Sequence, residues 1–428
     1  MSRIAVIGAG IAGMSAAYLL SEKHEVWLFE KEDRLGGHTH THTIETSCGA
    51  LPIDTGFIVH NDRTYPNLVR LFGRLGVNRQ KSDMSFGVSC RQTGFEYSSR
   101  GLRGLFAGSN WSRIGHYRFL AEIVRFNRKA RKLLNDPAQA DITLGDYLRA
   151  HQFTGDFTRH YLHPMAAAVW STSTEEIEEF PALTLIRFFD NHGFLGLTTQ
   201  AQWHVLQGGS STYIAPLTAP YKERIQLGTK IDAVTRTAAR AEIAFADRPS
   251  ELFDEVVFAC HAPQTMQLLK DATPVERQVL GSFRTSRNRT VLHTDSRLLP
   301  RQKNARASWN YHLGTNRRAA TLTYHMNRLQ NLPTPEDYCV TLNDTESVDE
   351  RRVLREMTYF HPLHTLDAVR AQARWPEISG HNRTHFCGAY WFYGFHEDGL
   401  NSAIRVAEKL GVRWEQSAWE PTAYEAVA

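Results

Sequence analysis

Arg3-Ile4-Ala5-Val6-Ile7-Gly8-Ala9-Gly10-Ile11-Ala12-Gly13 opens the chain and runs directly into Met14-Ser15-Ala16-Ala17-Tyr18-Leu19-Leu20. A β-branched run, a glycine turn and a helix-forming run in that order predict strand, tight turn and helix. Gly8 permits the turn, Gly10 lets backbone approach a pyrophosphate, and Gly13 lets the helix pack closely on the strand. The first helix amides, those of Ile11 and Ala12 among them, would face the phosphates. The next strand, EVWLFE at residues 25–30, ends in Glu30, 22 residues after Gly8, with Lys31 beside it. A carboxylate there accepts both hydroxyls of an adenosine ribose and repels a 2′-phosphate. A chance glycine turn is the rival reading, and it requires strand, turn, helix and acid all to coincide.

The glycine pair Gly36-Gly37, in RLGGHTHT, follows Glu30 by six and seven residues. A second close backbone passage suits an extended flavin dinucleotide, whereas an NAD site has no need of it, so FAD is the predicted cofactor. Asp54 and Gly56, in LPIDTG, are predicted to form a short turn where the chain runs past the flavin ring. Towards the other end, FCGAY at residues 386–390 reads as a short strand containing Gly388, and GFHEDG at 394–399 as a loop feeding the helix LNSAIRVAEKL. Amides of Gly399, Leu400 and Asn401 at that helix start would stabilise negative charge on a reduced flavin, so two ends of the chain are predicted to meet on one cofactor. Between them, residues 225–234 (IQLGTKIDAV) read as one strand whose Ile231 backbone meets the adenine. Residues 253–260 (FDEVVFAC) read as a buried strand stopped by Pro263.

At 428 residues, 42% hydrophobic and 22% charged, the chain is long enough for about two domains with cores of their own. A net charge of +4, from 49 basic and 45 acidic side chains, is too small and too evenly spread to predict nucleic-acid binding. Five cysteines (Cys48, Cys90, Cys260, Cys339, Cys387) with no C-x-x-C spacing predict neither a disulfide framework nor a zinc site, and a reducing cytoplasm is expected. No run approaches the ~18 apolar residues of a membrane span, and no basic-then-apolar leader precedes the first strand. His38, His40 and His42 alternate and would project from one strand face. No acid or cysteine is spaced to complete a metal site with them, so none is expected.

Strings spread from about residue 3 to residue 411 carry a resemblance: EKEDRLGGHTHT, TYPNL, KSDMSFGVS, SRGLRGLFA, VWSTS, QGGSSTYI, VVFACHAPQTMQLL, LLPRQKNARASWNY, TYHMNRLQNL, VTLN and FCGAYWFYGFHEDGL. With them the chain resembles the flavin-containing amine oxidase superfamily, which also holds phytoene desaturases and protoporphyrinogen oxidases. More closely, it resembles the FAD-dependent oxidoreductase fused to plant cyclopropane fatty acid synthases and its stand-alone bacterial relatives. The resemblance implies an α/β fold, with a Rossmann-like, glutathione-reductase-like FAD-binding domain and an interleaved α+β substrate domain of amine-oxidase type. The expected boundaries are 1–65, 203–265 and 375–412 for FAD binding, 66–202 and 266–374 for substrate, and 413–428 as a tail. It also implies desaturation of a methyl-branched or otherwise modified unsaturated fatty-acyl chain, with a fatty-acyl phospholipid as substrate and a lipid methyltransferase as partner. Two positions depart from the amine-oxidase pattern: His38 stands where Arg usually follows the glycine pair, and Tyr390 where an acid usually meets the ribityl chain. A flavin amine oxidase, a flavin-holding partner without turnover and a redox-neutral isomerase are the alternative readings.

Oxidising an acyl chain takes a hydride acceptor, and a base or solvent for the other proton. His396, in the loop expected over the flavin, is the predicted base, with Glu397 adjacent and Tyr393 as further catalytic candidates. A structural histidine capping the last helix is the rival reading. Tyr390, Trp391 and Tyr393 form an aromatic cluster able to wall an acyl slot or to cage a cationic amine. Tyr324, His325, Asn327 and His163 are further pocket candidates. Residues 100–132 carry nine basic side chains against Glu122 alone. Phe119, Ile123, Phe126, Ala130 and Leu133 recur there at helical spacing and predict a basic amphipathic helix. Such a helix either lies on an anionic bilayer, at the inner face of the membrane, or packs its apolar stripe inward.

Overall fold

The computed structural model describes residues 1–46, 49–136, 141–170, 174–196, 201–313, 321–343 and 345–414; Cys48 and, of the expected tail, residues 415–428 lie outside them. Strand β1 (Arg3–Ile7), helix α1 (Ile11–Leu20) and strand β2 (Glu25–Phe29) follow one another as predicted. They join β3 (Ile225–Gln226), β4 (Glu255–Phe258) and β5 (Thr384–Phe386) in one parallel sheet ordered β3-β2-β1-β4-β5. Val6 pairs with Leu28 on one side and Val257 on the other, and all three are fully buried. Strands covered on both faces need apolar residues at every position, which is why RIAVI and EVVF read as continuous runs.

Two predicted strands are broken in the structure. Residues 225–234 divide at Gly228, which takes a left-handed φ of +63°. Its N–H donates to the Glu32 carbonyl and that of Thr229 to the Glu30 carbonyl, bending the chain across the end of β2. Ile231–Arg236 then opens a separate antiparallel sheet with Ala241–Phe245 and Glu251–Phe253. Residues 253–260 divide at Asp254, whose carboxylate accepts the Arg3 N–H at 2.8 Å.

A second, seven-stranded sheet runs Val353–Leu363, Arg284–His293, Cys339–Leu342, Leu322–His325, Trp309–His312, Phe86–Cys90, Phe95–Ser98. The chain also forms α2 (Pro66–Arg74), α3 (Gly101–Leu105), which packs on the strand Phe95–Ser98, α4 (Ile114–Leu133) and α5 (Ala182–Asn191). Helix α4 packs against α5 and buries Phe119, Phe126, Ala130 and Leu133, so the apolar stripe seen in the sequence faces the core, and the bilayer reading of that stripe is corrected. No helix among the described residues is long and apolar enough to cross a membrane.

Helix α6 (His396–Lys409) begins three residues before the expected loop ends. The Asp398 carboxylate accepts the Phe395 N–H at 2.8 Å, so His396, Glu397 and Asp398 make the first turn instead of a loop. Gly399 sits where α6 crosses α1; an added Cβ would come within 2.7 Å of the Ile11 side chain. The strand expected over 386–390 stops at Phe386, because Gly388 turns the chain and Ala389–Trp391 coil into a short 3-10 helix.

Candidate active site

A cavity of about 870 Å³ is lined from both sheets. At one end lies the turn between β1 and α1. Gly8 takes φ +106°, and a Cβ there would meet the Cys260 backbone nitrogen at 3.0 Å. Gly13 serves contact instead: its Cβ would lie 1.8 Å from the Gly8 carbonyl oxygen, and it does not reach the cavity. Gly8, Gly10, Ile11, Ala12, Glu30, Lys31 and Ile231 line this end. The Glu30 carboxylate accepts the N–H groups of Ala9 (2.7 Å) and Glu32 (3.0 Å), which aims it along the turn. Gly36 donates its N–H to the Ala9 carbonyl and braces the turn from behind, whereas Gly37, His38, Gly56 and Gly388 line the cavity.

These features fit FAD. An added Cβ at Gly10 would meet nothing within 4 Å, leaving bare backbone open to a pyrophosphate. The buried His38 Nε2 has no hydrogen-bond partner among the described residues. Burial, reinforced by His361 and His261, holds the His38 ring well below its ordinary pKa and therefore neutral.

Several predicted residues stand elsewhere. Asp54 is not in a turn beside the cofactor; it ends the strand Gly49–Asp54 and is fully buried. Its carboxylate accepts from Ser210 N (2.9 Å), Ser210 Oγ (2.8 Å), Thr41 Oγ1 (2.5 Å) and Gln330 Nε2 (3.1 Å), tying three segments together. Burial pushes it up to about 6. Gly399 and Leu400 lie inside α6 against α1, away from the cavity, because the helix starts earlier than predicted. Trp391 turns away and packs edge-on against Phe283 at 4.9 Å, so the three-ring cluster does not face the cavity together, although Tyr390 and Tyr393 do. Tyr324 lines the cavity, but His325, Asn327 and His163 do not; His325 pairs with Asp337 at 2.9 Å.

Of the catalytic candidates, His396 and Tyr393 line the cavity and Glu397 does not. The Glu397 carboxylate accepts the backbone N–H groups of Asn67 (3.0 Å) and Leu68 (2.8 Å), capping the start of α2, and burial pushes it up to about 7. Changing Glu397 to Ala would strand two buried donors at a helix N-terminus. A stability loss of ~2–4 kcal/mol is expected, seen as a lower thermal midpoint with the flavin spectrum of the folded protein unchanged. His396 stacks on Phe57 at 3.8 Å, and its Nε2 lies 2.9 Å from Thr39 Oγ1, which is 2.5 Å from Tyr213 Oη. Burial lowers His396 to about 3, so the ring stays neutral and does not titrate in the range on which its choice as base rested. Burial raises Tyr393 to about 12.

The far end of the cavity is aromatic and apolar. Trp170, Phe188, Trp203, Trp309, Tyr324 and Phe395 wall it, with Met84, Phe194 and Met357 between them. Trp309 and Tyr324 meet edge to face at 4.9 Å, and His192, lowered by burial to about 4, stacks neutral on Phe188 at 3.8 Å. Sequence reasoning missed most of this wall; Trp170 and Trp309 stand in or beside strings that carried the resemblance, which was the available signal. Among the described residues, the five charged ones that line the cavity, Glu30, Lys31, Glu32, Arg34 and Lys230, lie at the nucleotide end.

The profile of the family described as flavin containing amine oxidoreductase matches residues 11–304. A Mycobacterium tuberculosis protein named as a flavin-containing monoamine oxidase, AofH, is 24% identical over 249 residues, 55% of this chain and 52% of its own. The flavin-dependent L-tryptophan oxidase RebO of Lentzea aerocolonigenes is 37% identical over 76 residues, 18% of this chain and 16% of its own. The chain thus spans about half the length, or less, of these curated relatives. Among solved structures, a CLA-producing fatty acid isomerase from P. acnes superposes with a TM-score of 0.69 at 15% identity, covering 95% of this chain and 98% of that one. Putrescine oxidase bound to putrescine gives 0.70 at 11% identity, covering 96% and 99%. At these identities the likeness is one of fold.

Proposed function

This chain belongs to the flavin containing amine oxidoreductase family and takes FAD as its cofactor, and from that premise we propose that it dehydrogenates a methyl-branched or otherwise modified unsaturated fatty-acyl chain carried on phospholipid. The observation that carries this reading is the far end of the cavity: aromatic walls, with every charged lining residue among the described ones at the other end. A long apolar chain gains from burial there, whereas a protonated amine would lose its water with no carboxylate among the described residues of that end to replace it.

Bound FAD supplies a two-electron acceptor for the hydride. Gly8, Gly10, Ile11, Ala12 and Glu30, which line the cavity, would hold its nucleotide half, and His38, Gly56 and Gly388, which line it too, would lie along the rest. Trp170, Phe188, Trp203 and Trp309 hold the acyl chain and exclude water. His396 holds the remaining candidacy for the proton: it is neutral, lines the cavity, and has the hydroxyls of Thr39 and Tyr213 behind it as a short chain. Replacing His396 by Ala is expected to lower kcat by about 10²-fold with FAD still bound, and the wild-type profile should show no acid limb near pH 6.5. An unchanged kcat would assign the proton to solvent.

The direct test is an anaerobic visible spectrum of the FAD-loaded protein mixed with phospholipids bearing methylated or cyclopropanated acyl chains. Bleaching of the oxidised flavin band is the expected result. Bleaching by amines alone would replace this reading with an amine oxidase. Bleaching by neither would leave an isomerase, or a flavin-holding partner of a lipid methyltransferase.

A further inference from the structure

Among the described residues ten large hydrophobic side chains are exposed, and five of them, Leu102, Trp111, Ile114, Tyr117 and Val124, fall within one short stretch. Leu102, Ile114 and Trp111 are exposed by 75%, 74% and 68%. Positions 114, 117, 121, 124 and 128 recur at three and four residues on α4, on the face opposite Phe119, Phe126, Ala130 and Leu133. The helix is therefore apolar on two sides, and its packing onto α5 covers only one. The Tyr117 hydroxyl donates to the Trp111 carbonyl at 2.8 Å, and the Phe106 ring, just past α3, lies 5.7 Å from that of Tyr117, so these segments form one continuous surface.

The charge around it has one sign. Arg103, Arg113, Arg118 and Arg128 are exposed, and none has a carboxylate partner among the described residues. Glu122, the one acid of residues 100–132, is taken by Arg125 at 2.7 Å.

We propose that α3, the turn Asn110–Ser112 and the outer face of α4 form a docking surface for an anionic lipid bilayer. Leu102, Trp111 and Ile114 would enter the acyl boundary, and the four unpaired arginines would meet headgroup phosphates. Apolar tips set among arginines, with Trp and Tyr at the boundary, match the interfacial pattern of surface-bound proteins. Positive charge without internal partners matches an anionic leaflet. The proposal rests on these surface residues and not on the acyl-substrate reading. It places the bilayer behind the helix pair whose Phe188 walls the apolar end of the cavity.

The test is co-sedimentation of the FAD-loaded protein with phosphatidylcholine vesicles, with and without phosphatidylglycerol. Sedimentation only with phosphatidylglycerol, weakened by salt, is expected. Trp111→Ser with Ile114→Ser, and separately Arg113→Glu with Arg118→Glu, should each lower binding by on the order of tenfold or more. Leu227→Ser, exposed elsewhere, should not. Unchanged flavin content confirms that each variant is folded, and unchanged flavin reduction by detergent-dispersed lipid separates docking from catalysis. Wild-type protein left in the supernatant, or variants that sediment as well as wild type, would overturn the proposal. So would a lipid-free dimer that these substitutions abolish, because the surface would then belong to a second copy of the chain.

Discussion

Acid is expected to unfold this protein between pH 6.5 and about 4. His60, His192, His293, His364 and His396 are buried, and burial lowers them to about 3 or 4 from an ordinary 6.5. A folded-state pKa below the unfolded one contributes stability that is fully present above pH 6.5 and is lost as pH falls towards the folded value. Each histidine lowered this far contributes on the order of a few kcal/mol, so the five together reach the scale of a typical domain's stability. Glu397, Asp54 and Asp398 oppose this, since burial raises the first two to about 7 and about 6 and Asp398 well above the ordinary carboxyl range, and their contribution grows as pH falls. Three groups do not offset five. Thermal midpoints followed by tryptophan fluorescence should therefore fall steadily below pH 6.5, with net uptake of protons on unfolding. Constant stability from about pH 7 to about pH 5 would mean that these histidines take up protons without unfolding, contrary to their burial.

Replacing Gly13 by Val should yield a colourless protein. The new Cβ would stand 1.8 Å from the Gly8 carbonyl oxygen and 3.0 Å from the Ala259 Cβ, and the closer contact is backbone with no side chain to swing aside. Helix α1 must then lift from β1, which opens the turn whose amides face the phosphates. The expected cost is ~3–5 kcal/mol of stability, with loss of FAD at micromolar concentrations. Gly10→Ala makes the contrast: nothing lies within 4 Å of its Cβ, so the fold should persist while the methyl obstructs the cofactor. Flavin-to-protein absorbance and thermal midpoints measured on both variants separate packing from binding. A yellow Gly13→Val protein with an unchanged midpoint would show that the turn tolerates displacement.

The nucleotide end was legible because its determinants are close in sequence and demanding in residue type. Gly8, Gly10, Gly13 and Glu30 each do something a substitute does poorly. Asp54 and Glu397 misled for the opposite reason. An acid beside a glycine-rich segment looks available to a ligand, yet Asp54 is consumed by Ser210 and Gln330, 156 and 276 residues away, and Glu397 by Asn67, 330 residues away. The substrate wall was unreadable because Trp170, Phe188, Trp203 and Trp309 come from four separate segments, and each alone resembles any core aromatic. On α4 the periodicity identified an apolar stripe correctly, but periodicity does not say which side a neighbour covers, and the exposed apolar residues on the opposite face went unnoticed.

The sheet order β3-β2-β1-β4-β5 also sets a timetable for the nascent chain. β1 and α1 leave the ribosome long before β5 and α6, which complete the sheet and cover α1. At about 5–20 residues per second, roughly 20–80 s separates the synthesis of α1 from that of α6. During that interval the face of α1 that later meets Gly399 has no partner and is open to chaperones or to aggregation. Flavin loading is therefore expected only after α6 has been made, and the yield of holoprotein in a cell would depend on how well the unfinished sheet is guarded until then.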